Sequence, residues 1–331
     1  MNAPVIKLAP VAALQTKKNH YTPWIIALVL ASIAPFMIYP IFAMELMCFA
    51  LFACAFNLLL GFGGLLSFGH AAFFGGAAYL CGHAIKNWGL SPELGILVAT
   101  LGAAILGLAI GSIAIRRQGI YFAMVTLALA QIVFFLCLQI PFTGGEDGLQ
   151  GIPKGHLFGL IDLSATFSFG GQQLPLALYF FVLAVTFAGY WLIWRTVHSP
   201  FGMVLKAIKE NEARALSLGY RVNRYKLATF VLSAALAGLA GATKALVVGL
   251  ASLSDVSWHM SGEVVLMTLL GGMGTLLGPL VGAVTISTMH HELASLGSWV
   301  TVTIGVVFVV CVMAFRRGIV GEIAYRLKRS F

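Results

Sequence analysis

Long apolar runs recur along this chain, and the polar residues fall almost entirely in the gaps between them. The runs lie near residues 24–40, 42–60, 64–85, 94–115, 119–141, 174–195, 226–249, 262–290 and 298–315. Most approach the roughly 20 residues that carry an α-helix across a hydrocarbon core of about 30 Å. The alternating ten-residue pattern of an outer-membrane barrel is scarce. The pattern therefore predicts an all-α polytopic membrane protein.

Composition supports that reading and excludes others. The 331 residues are 60% hydrophobic and 9% charged, with a mean hydropathy of +0.96, whereas a soluble domain carries about 25% charged residues to cover its surface. A net charge of +9 raises nucleic acid as a partner, but the placement of the charges argues for membrane topology instead. All basic residues except Lys86, Lys154 and Lys244 fall in four blocks: before the first run, at Arg116 and Arg117, from Arg195 to Lys226, and from Arg316 to Arg329. Lys and Arg in short flanking loops mark the cytoplasmic side, so both termini and the 196–225 loop are expected in the cytoplasm. Glu93, Glu146, Asp147, Asp162 and Asp255 fall in the opposite loops. The run from Trp24 passes signal-peptide length and reads as an uncleaved first span.

Parity then constrains the count. Between Lys226 and Arg316 an even number of crossings is needed, which splits 262–290 at Gly271-Gly272-Met273-Gly274. About ten membrane segments result, one of them broken or re-entrant, which is tolerated only where protein or a water-filled cavity shelters its backbone. The expected organisation is a cytoplasmic tail over 1–23, a transmembrane unit over 24–315 and a basic cytoplasmic tail over 316–331.

Two dense glycine clusters stand out, the one just named and Gly61-Phe62-Gly63-Gly64 with Ser67, Gly69 and His70 close behind. Paired glycine-interrupted segments point to a transport path, although small residues also simply let membrane helices approach, the reading preferred for Gly75 and Gly76. The candidate path residues are Asn57, Gly61, Gly63, Gly64, Ser67, His70, Gln131, Gly271, Gly272 and Gly274. These polar members are uncharged, which suits a neutral or zwitterionic solute. Glu45, Lys244 and Glu263 fall near span ends, where an interfacial position accounts for them.

Reactive chemistry is not evident. In His290-His291-Glu292 the imidazoles are neighbours about 100° apart on a helix, not four residues apart on one face as a zinc helix requires, so they read as interface markers. Cys48, Cys54, Cys81, Cys137 and Cys311 are scattered through apolar runs and read as packing residues. No metal site is expected, and the phosphate-cradling loop of an ATPase is missing.

The most informative polar stretch runs from Ser199 to Gly219. Ser199 suits an N-cap, Pro200 the first helical position, and Gly219 the left-handed residue past the end. Between them Leu205, Ile208, Ala215 and Leu216 recur at helical spacing against Lys206, Lys209, Glu210, Glu212 and Arg214. This predicts one cytoplasmic amphipathic helix over 199–219. Lipid headgroups would favour its lysines, but the Glu-Asn-Glu centre suits a protein partner better.

Several motifs in the same order resemble one family. They are Gly61 to Gly75 (Gly-Phe-Gly-Gly-Leu-Leu-Ser-Phe-Gly-His-Ala-Ala-Phe-Phe-Gly), Gly119 to Leu129, Thr143-Gly-Gly-Glu-Asp-Gly148, Lys206 to Gly219, Tyr225-Lys-Leu227, Phe230 to Gly241, and Leu270 to Pro279. Together they resemble the LivM-type permease subunits of branched-chain amino acid ABC importers. The resemblance implies a non-enzymatic transport subunit of the bacterial inner membrane, binding no cofactor itself. ATP would be used by two ATP-binding cassette partners, alongside a second, LivH-type permease and a periplasmic substrate-binding protein. It also implies that the cytoplasmic helix couples to the ATPase, with Lys206, Lys209, Glu210, Glu212, Ala213, Arg214 and Gly219 as candidates. The chain departs from the broader importer signature: Arg214 follows Glu212-Ala213, and Gly219 lies seven positions from that Glu rather than six. The alternatives are the same machinery carrying urea, amides or aromatic acids, a stand-alone channel or secondary transporter, and an intramembrane enzyme built on the histidines.

Overall fold

The computed structural model describes residues 31–326 apart from 33, 37, 158, 160, 170, 171, 298, 316 and 317. Most of the expected first span, Lys7, Lys17, Lys18, Arg316, Arg317, Lys328 and Arg329 lie outside the described residues. Helices dominate the rest. They are α1 (Pro40–Asn57), α2 (His70–Lys86), α3 (Pro92–Ala114), α4 (Ile120–Gln139), α5 (Leu176–Val197), α6 (Pro200–Glu210), α7 (Glu212–Ser217) and α8 (Val222–Val248). After them come α9 (Trp258–Gly271), α10 (Gly278–Glu292), α11 (Trp299–Ala314) and α12 (Gly318–Arg326). Among the described residues five helices are long and apolar enough to cross a membrane: α1 with the π-helical turn that extends it to Phe62, α3, α4, α5 and α8. The chain is a multi-pass membrane protein.

The helices sort into a centre and a rim. The spanning windows of α1 and α8 are mostly buried, while only about a third or less of those of α3 and α4 is. On α3 the exposed side is an apolar stripe of Leu94, Leu97, Leu101, Ile105 and Leu108 at helical spacing, as a lipid-facing helix requires. α8 packs against α1, α2 and α3, and glycines set how closely. At Gly241 an added Cβ would lie 1.9 Å from the Phe74 carbonyl oxygen of α2. Gly75 meets the backbone of Val256 in the same way, whereas Gly76 has only Val133 at 3.9 Å, so close packing accounts for the first and not the second. Cys48, Cys54, Cys81 and Cys137 are free and buried, as packing residues are.

Strands appear where an all-α reading has none, as short pairings in the connecting loops. β1 (Leu149–Gln150) pairs antiparallel with β6 (Leu250–Ala251), placing Leu149 opposite Ala251. β2 (His156–Leu157) pairs with β3 (Ile161–Asp162), and β4 (Phe167–Phe169) with β5 (Gln172–Leu174). Lys86 Nζ donates to the Gln150 carbonyl at 2.7 Å, fastening the end of α2 to this loop layer.

These elements define two ends. α8 starts beside α7 and ends at β6, and its 27 residues span about 40 Å at 1.5 Å per residue. The α6–α7 end and the loop end are therefore opposite faces of the bundle. The run 262–290 is broken at the glycines, as parity requires. α9 has 14 residues and α10 has 15, each about 21–23 Å long and short of a roughly 30 Å core. They pack side by side because Gly271 and Gly282 carry no Cβ, which would fall 1.8 Å from Gly278 O and Met267 O respectively.

The run 199–219 is two helices, not one. Ser199 caps α6, accepting from Gly202 N, with Pro200 first in the helix as expected. The helix then stops at Asn211, which is extended (φ −155°) and turns its side chain to cap α7 through Arg214 N at 2.9 Å. Asn competes with the helix backbone in this way because its short amide reaches nearby N–H groups. The break changes the inward face. Leu205, Ile208 and Ala215 are buried as predicted, but Leu216 is 56% exposed. Gly219 (φ +86°) does occupy the left-handed position past the end.

Candidate functional site: a glycine junction and an opposite cavity

The two glycine clusters meet. The π-helical turn Leu58–Phe62 ends α1, and Asn57, the last residue of α1 proper, reaches across to the break between α9 and α10. Its Nδ2 donates to the Thr275 carbonyl at 2.8 Å, and its Oδ1 accepts from Gly274 N at 3.0 Å. A broken helix leaves backbone donors and acceptors without partners, and one amide side chain satisfies one of each. Gly61 has to be glycine for this clasp, since a Cβ there would lie 2.7 Å from Gly274 N and closer still to Asn57 Oδ1. Gly272 (φ +122°) and Gly274 (φ +76°) hold backbone conformations that side chains strain. Tyr190 of α5 donates its hydroxyl proton to the Leu276 carbonyl, a third tie to the same loop.

α6 docks onto this junction. Lys209 Nζ donates to the Gly61 carbonyl, and Lys206 Nζ lies 5.4 Å from the centre of the Phe62 ring. Gly64, at φ +69°, sits under the Lys209 side chain. Glu212 pairs with Lys226 of α8 at 2.8 Å and accepts a long bond from Gln118. Ile208, Ala215 and Val222 form a small core of their own that joins α6 and α7 to the start of α8. Glu210, Ala213, Arg214 and Gly219 are exposed, beside Met203, Leu216 and Leu218, each more than half exposed.

Asn57, Gly61, Gly64, Gly272 and Gly274 are thus brought to one place, with Gly63 and Gly271 in the same turns. Ser67 and His70 lie just beyond and are fully buried. Ser67 Oγ accepts from Gly69 N, closing the turn into α2. His70 Nε2 lies 2.8 Å from Ser233 Oγ, whose one proton goes to the Ala55 carbonyl at 2.6 Å. Nε2 must therefore carry the imidazole proton, and the ring is boxed by Phe56, Phe73 and Phe230. This is the geometry of a packed, hydrogen-bonded histidine. Gln131 is half-buried on α4, and no hydrogen bond ties it to the junction among the described residues.

At the other end of the bundle, the three charged residues that fall near span ends come together. Lys244 is partly buried and pairs with Asp255, itself 2% exposed, and lies over the rings of Phe49 and Phe74 at 5.2 and 5.8 Å. Beside this pair, α1, α9 and α10 line a half-open cavity of about 340 Å³. Glu45, Glu263, Ser287, His290 and His291 supply its polar wall, and Phe42, Leu46, Phe49 and Met267 its apolar wall. His290 Nε2 is 3.6 Å from Glu263 Oε1, and His291 stacks on Phe42 with centroids 4.5 Å apart. Sequence reasoning took these groups one at a time. The available signal was a Lys inside an apolar helix followed by an Asp eleven positions later.

Known proteins share this pattern of sequence. LivM, the high-affinity branched-chain amino acid transport permease of Escherichia coli, is 32% identical over 212 residues, covering 60% of this chain and 50% of LivM. The autoinducer 2 import permease LsrC of Klebsiella pneumoniae is 33% identical over 191 residues, 56% of this chain and 50% of LsrC. The ribose import permease RbsC of Escherichia coli is 27% identical over 221 residues, 62% of this chain and 63% of RbsC. The chain spans about half the length of the LivM relatives it matches. No solved structure matches it. The profile of the family described as branched-chain amino acid transport system / permease component matches residues 20–315, and the chain, LivM-like in sequence, belongs to that family.

Proposed function

We propose that this chain is the permease subunit of an ATP-driven importer of the bacterial inner membrane, moving branched-chain or related small zwitterionic amino acids into the cytoplasm by alternating access. It spans the membrane in about ten segments with both termini cytoplasmic, alongside lipid, a second permease, two ATP-binding cassette subunits and a periplasmic binding protein. It binds no nucleic acid. The partner subunits consume the ATP, and this chain holds no cofactor. The observation that carries the reading is the contact of α6 with the paired helix breaks. Lys209 on Gly61 and Asn57 on Gly274 join a surface-exposed helix to two discontinuous membrane segments through two side chains. A partner that grips Lys206, Glu210, Ala213, Arg214 and the apolar tips of Met203, Leu216 and Leu218 would then move the breaks directly, as a two-state switch requires. The path would pass the junction of Gly61, Gly63, Gly64, Gly271, Gly272 and Gly274, with Ser67, His70 and Gln131 behind it.

The relatives named for ribose and autoinducer 2 import favour a second reading, a neutral polar solute such as a sugar. Urea, amides and aromatic acids remain chemically compatible with an uncharged junction. Labelled leucine uptake restored to a deletion strain by this chain, with unlabelled leucine, ribose and urea as competitors, separates these. We expect competition by leucine alone. Glu210→Lys with Arg214→Glu should abolish uptake and co-purification of an ATPase. Equal flux through liposomes holding this chain alone would overturn the reading in favour of a channel.

A further inference from the structure

We infer that the cavity between α1, α9 and α10 is a binding subsite that takes the ammonium end of the transported solute. This rests on the reading of the chain as an importer permease and adds where, and by which end, the solute is held. The cavity's volume of about 340 Å³ falls at the low end of the roughly 300–1,000 Å³ of small-molecule pockets.

Its wall is unfinished in a specific way. Ser287 is 9% exposed, and its hydroxyl is buried on the cavity wall without a hydrogen-bond partner among the described residues. A buried hydroxyl left unpaired is destabilising, and a polar guest would remove that penalty. Glu45 and Glu263 offer acceptors: Glu45 makes no hydrogen bond among the described residues, and His290 stands off Glu263 at 3.6 Å. Lys244 bonds Asp255 and lies over the faces of Phe49 and Phe74, and it acts on Glu45 and Glu263 through its charge alone. Three carboxyl groups, those of Glu45, Glu263 and Asp255, thus share one lysine, with His290 and His291 beside them, and an ammonium guest would add positive charge that the wall is short of.

An ammonium fits better than the alternatives. No three His, Cys, Asp or Glu groups converge to hold a metal ion among the described residues. A sugar brings hydroxyls but no charge to face two carboxyls. An α-amino acid presents three N–H donors to Glu45 and Glu263, a carboxylate that the Ser287 hydroxyl can reach as donor, and an apolar side chain for Leu46, Phe42 and Met267. The cavity lies at the loop end, opposite α6, so an importer would meet its solute here before the glycine junction.

The test places a reporter thiol on the wall. Ser287→Cys, in the full-length chain within its assembled importer in liposomes, is reacted with the cationic 2-aminoethyl and the anionic 2-sulfonatoethyl methanethiosulfonates, with the parent chain as blank. The cationic reagent should react about tenfold faster, as steering by fixed charge raises local concentration. Glu45→Gln with Glu263→Gln should bring the two rates together, and saturating leucine should block both reagents. Should Ser287→Cys fail to assemble, Ala294→Cys at the exposed rim gives the same reading. Equal rates with both carboxyls in place overturn the subsite, as does labelling that leucine leaves untouched in liposomes that do import leucine. Liposomes that import no amino acid but keep the charge preference overturn the amino acid reading while supporting a subsite for another ammonium solute.

Discussion

At the α6 end of the bundle, side chains bond to backbone: Asn57 to Gly274 and Thr275, Lys209 to Gly61, Tyr190 to Leu276. At the loop end, charge meets charge or ring: Lys244 with Asp255, His290 facing Glu263, His291 on Phe42. The difference follows from what each end has to satisfy. Where helices break, the freed N–H and C=O groups need partners in a region without water; the Asn57 amide and the Tyr190 hydroxyl supply them from within the bundle, and the Lys209 ammonium reaches in from exposed α6. Where a wide cavity opens on the opposite side, ionisable groups can be tolerated because they line it and pair across it. A joint and a receptacle have therefore been built from different chemistry in one bundle.

The comparison breaks most visibly at the ion pair. Lys244→Met should leave the buried Asp255 carboxyl without its cation and lower stability by about 3–5 kcal/mol, read as the midpoint of thermal unfolding in detergent. Adding Asp255→Asn should restore most of the loss. A smaller but more diagnostic effect is expected at the junction. Asn57→Leu keeps the volume and leaves Gly274 N–H and Thr275 C=O unpaired, a cost of about 1–3 kcal/mol. It should lower leucine uptake severalfold while reagent access at Ser287→Cys stays unchanged, whereas an equal effect at both ends would dissolve the distinction. The smallest change should come from Glu212→Gln. Its partner Lys226 is buried while Glu212 is partly exposed, so about 1 kcal/mol or less is at stake, and raising the salt concentration should shrink it.

Several of these features were legible before any coordinates. Parity in the distribution of Lys and Arg demanded a break inside 262–290, and it falls at Gly272–Leu277, where two glycines hold positive φ. Ser199, Pro200 and Gly219 marked the outer limits of the amphipathic segment because caps are local chemistry. Asn211 was the local signal that went unused: an Asn inside an amphipathic run is a cap as readily as a helical residue, and reading it so would have placed Leu216 outside.

By itself the sequence determined that the chain lives in lipid, that 262–290 breaks at its glycines, and where the 199–219 segment begins and ends, since these depend on hydropathy, charge and capping within a few residues. Tertiary structure alone decided that Asn57 reaches a break 217 residues away, that Lys209 reaches Gly61, and that Glu45, Glu263, Ser287 and His290 share one cavity. Those pairings depend on which helix faces are turned together. An apolar chain with so few charges gives little hint of them, because in lipid nearly every face is apolar whether it meets a neighbour or the membrane.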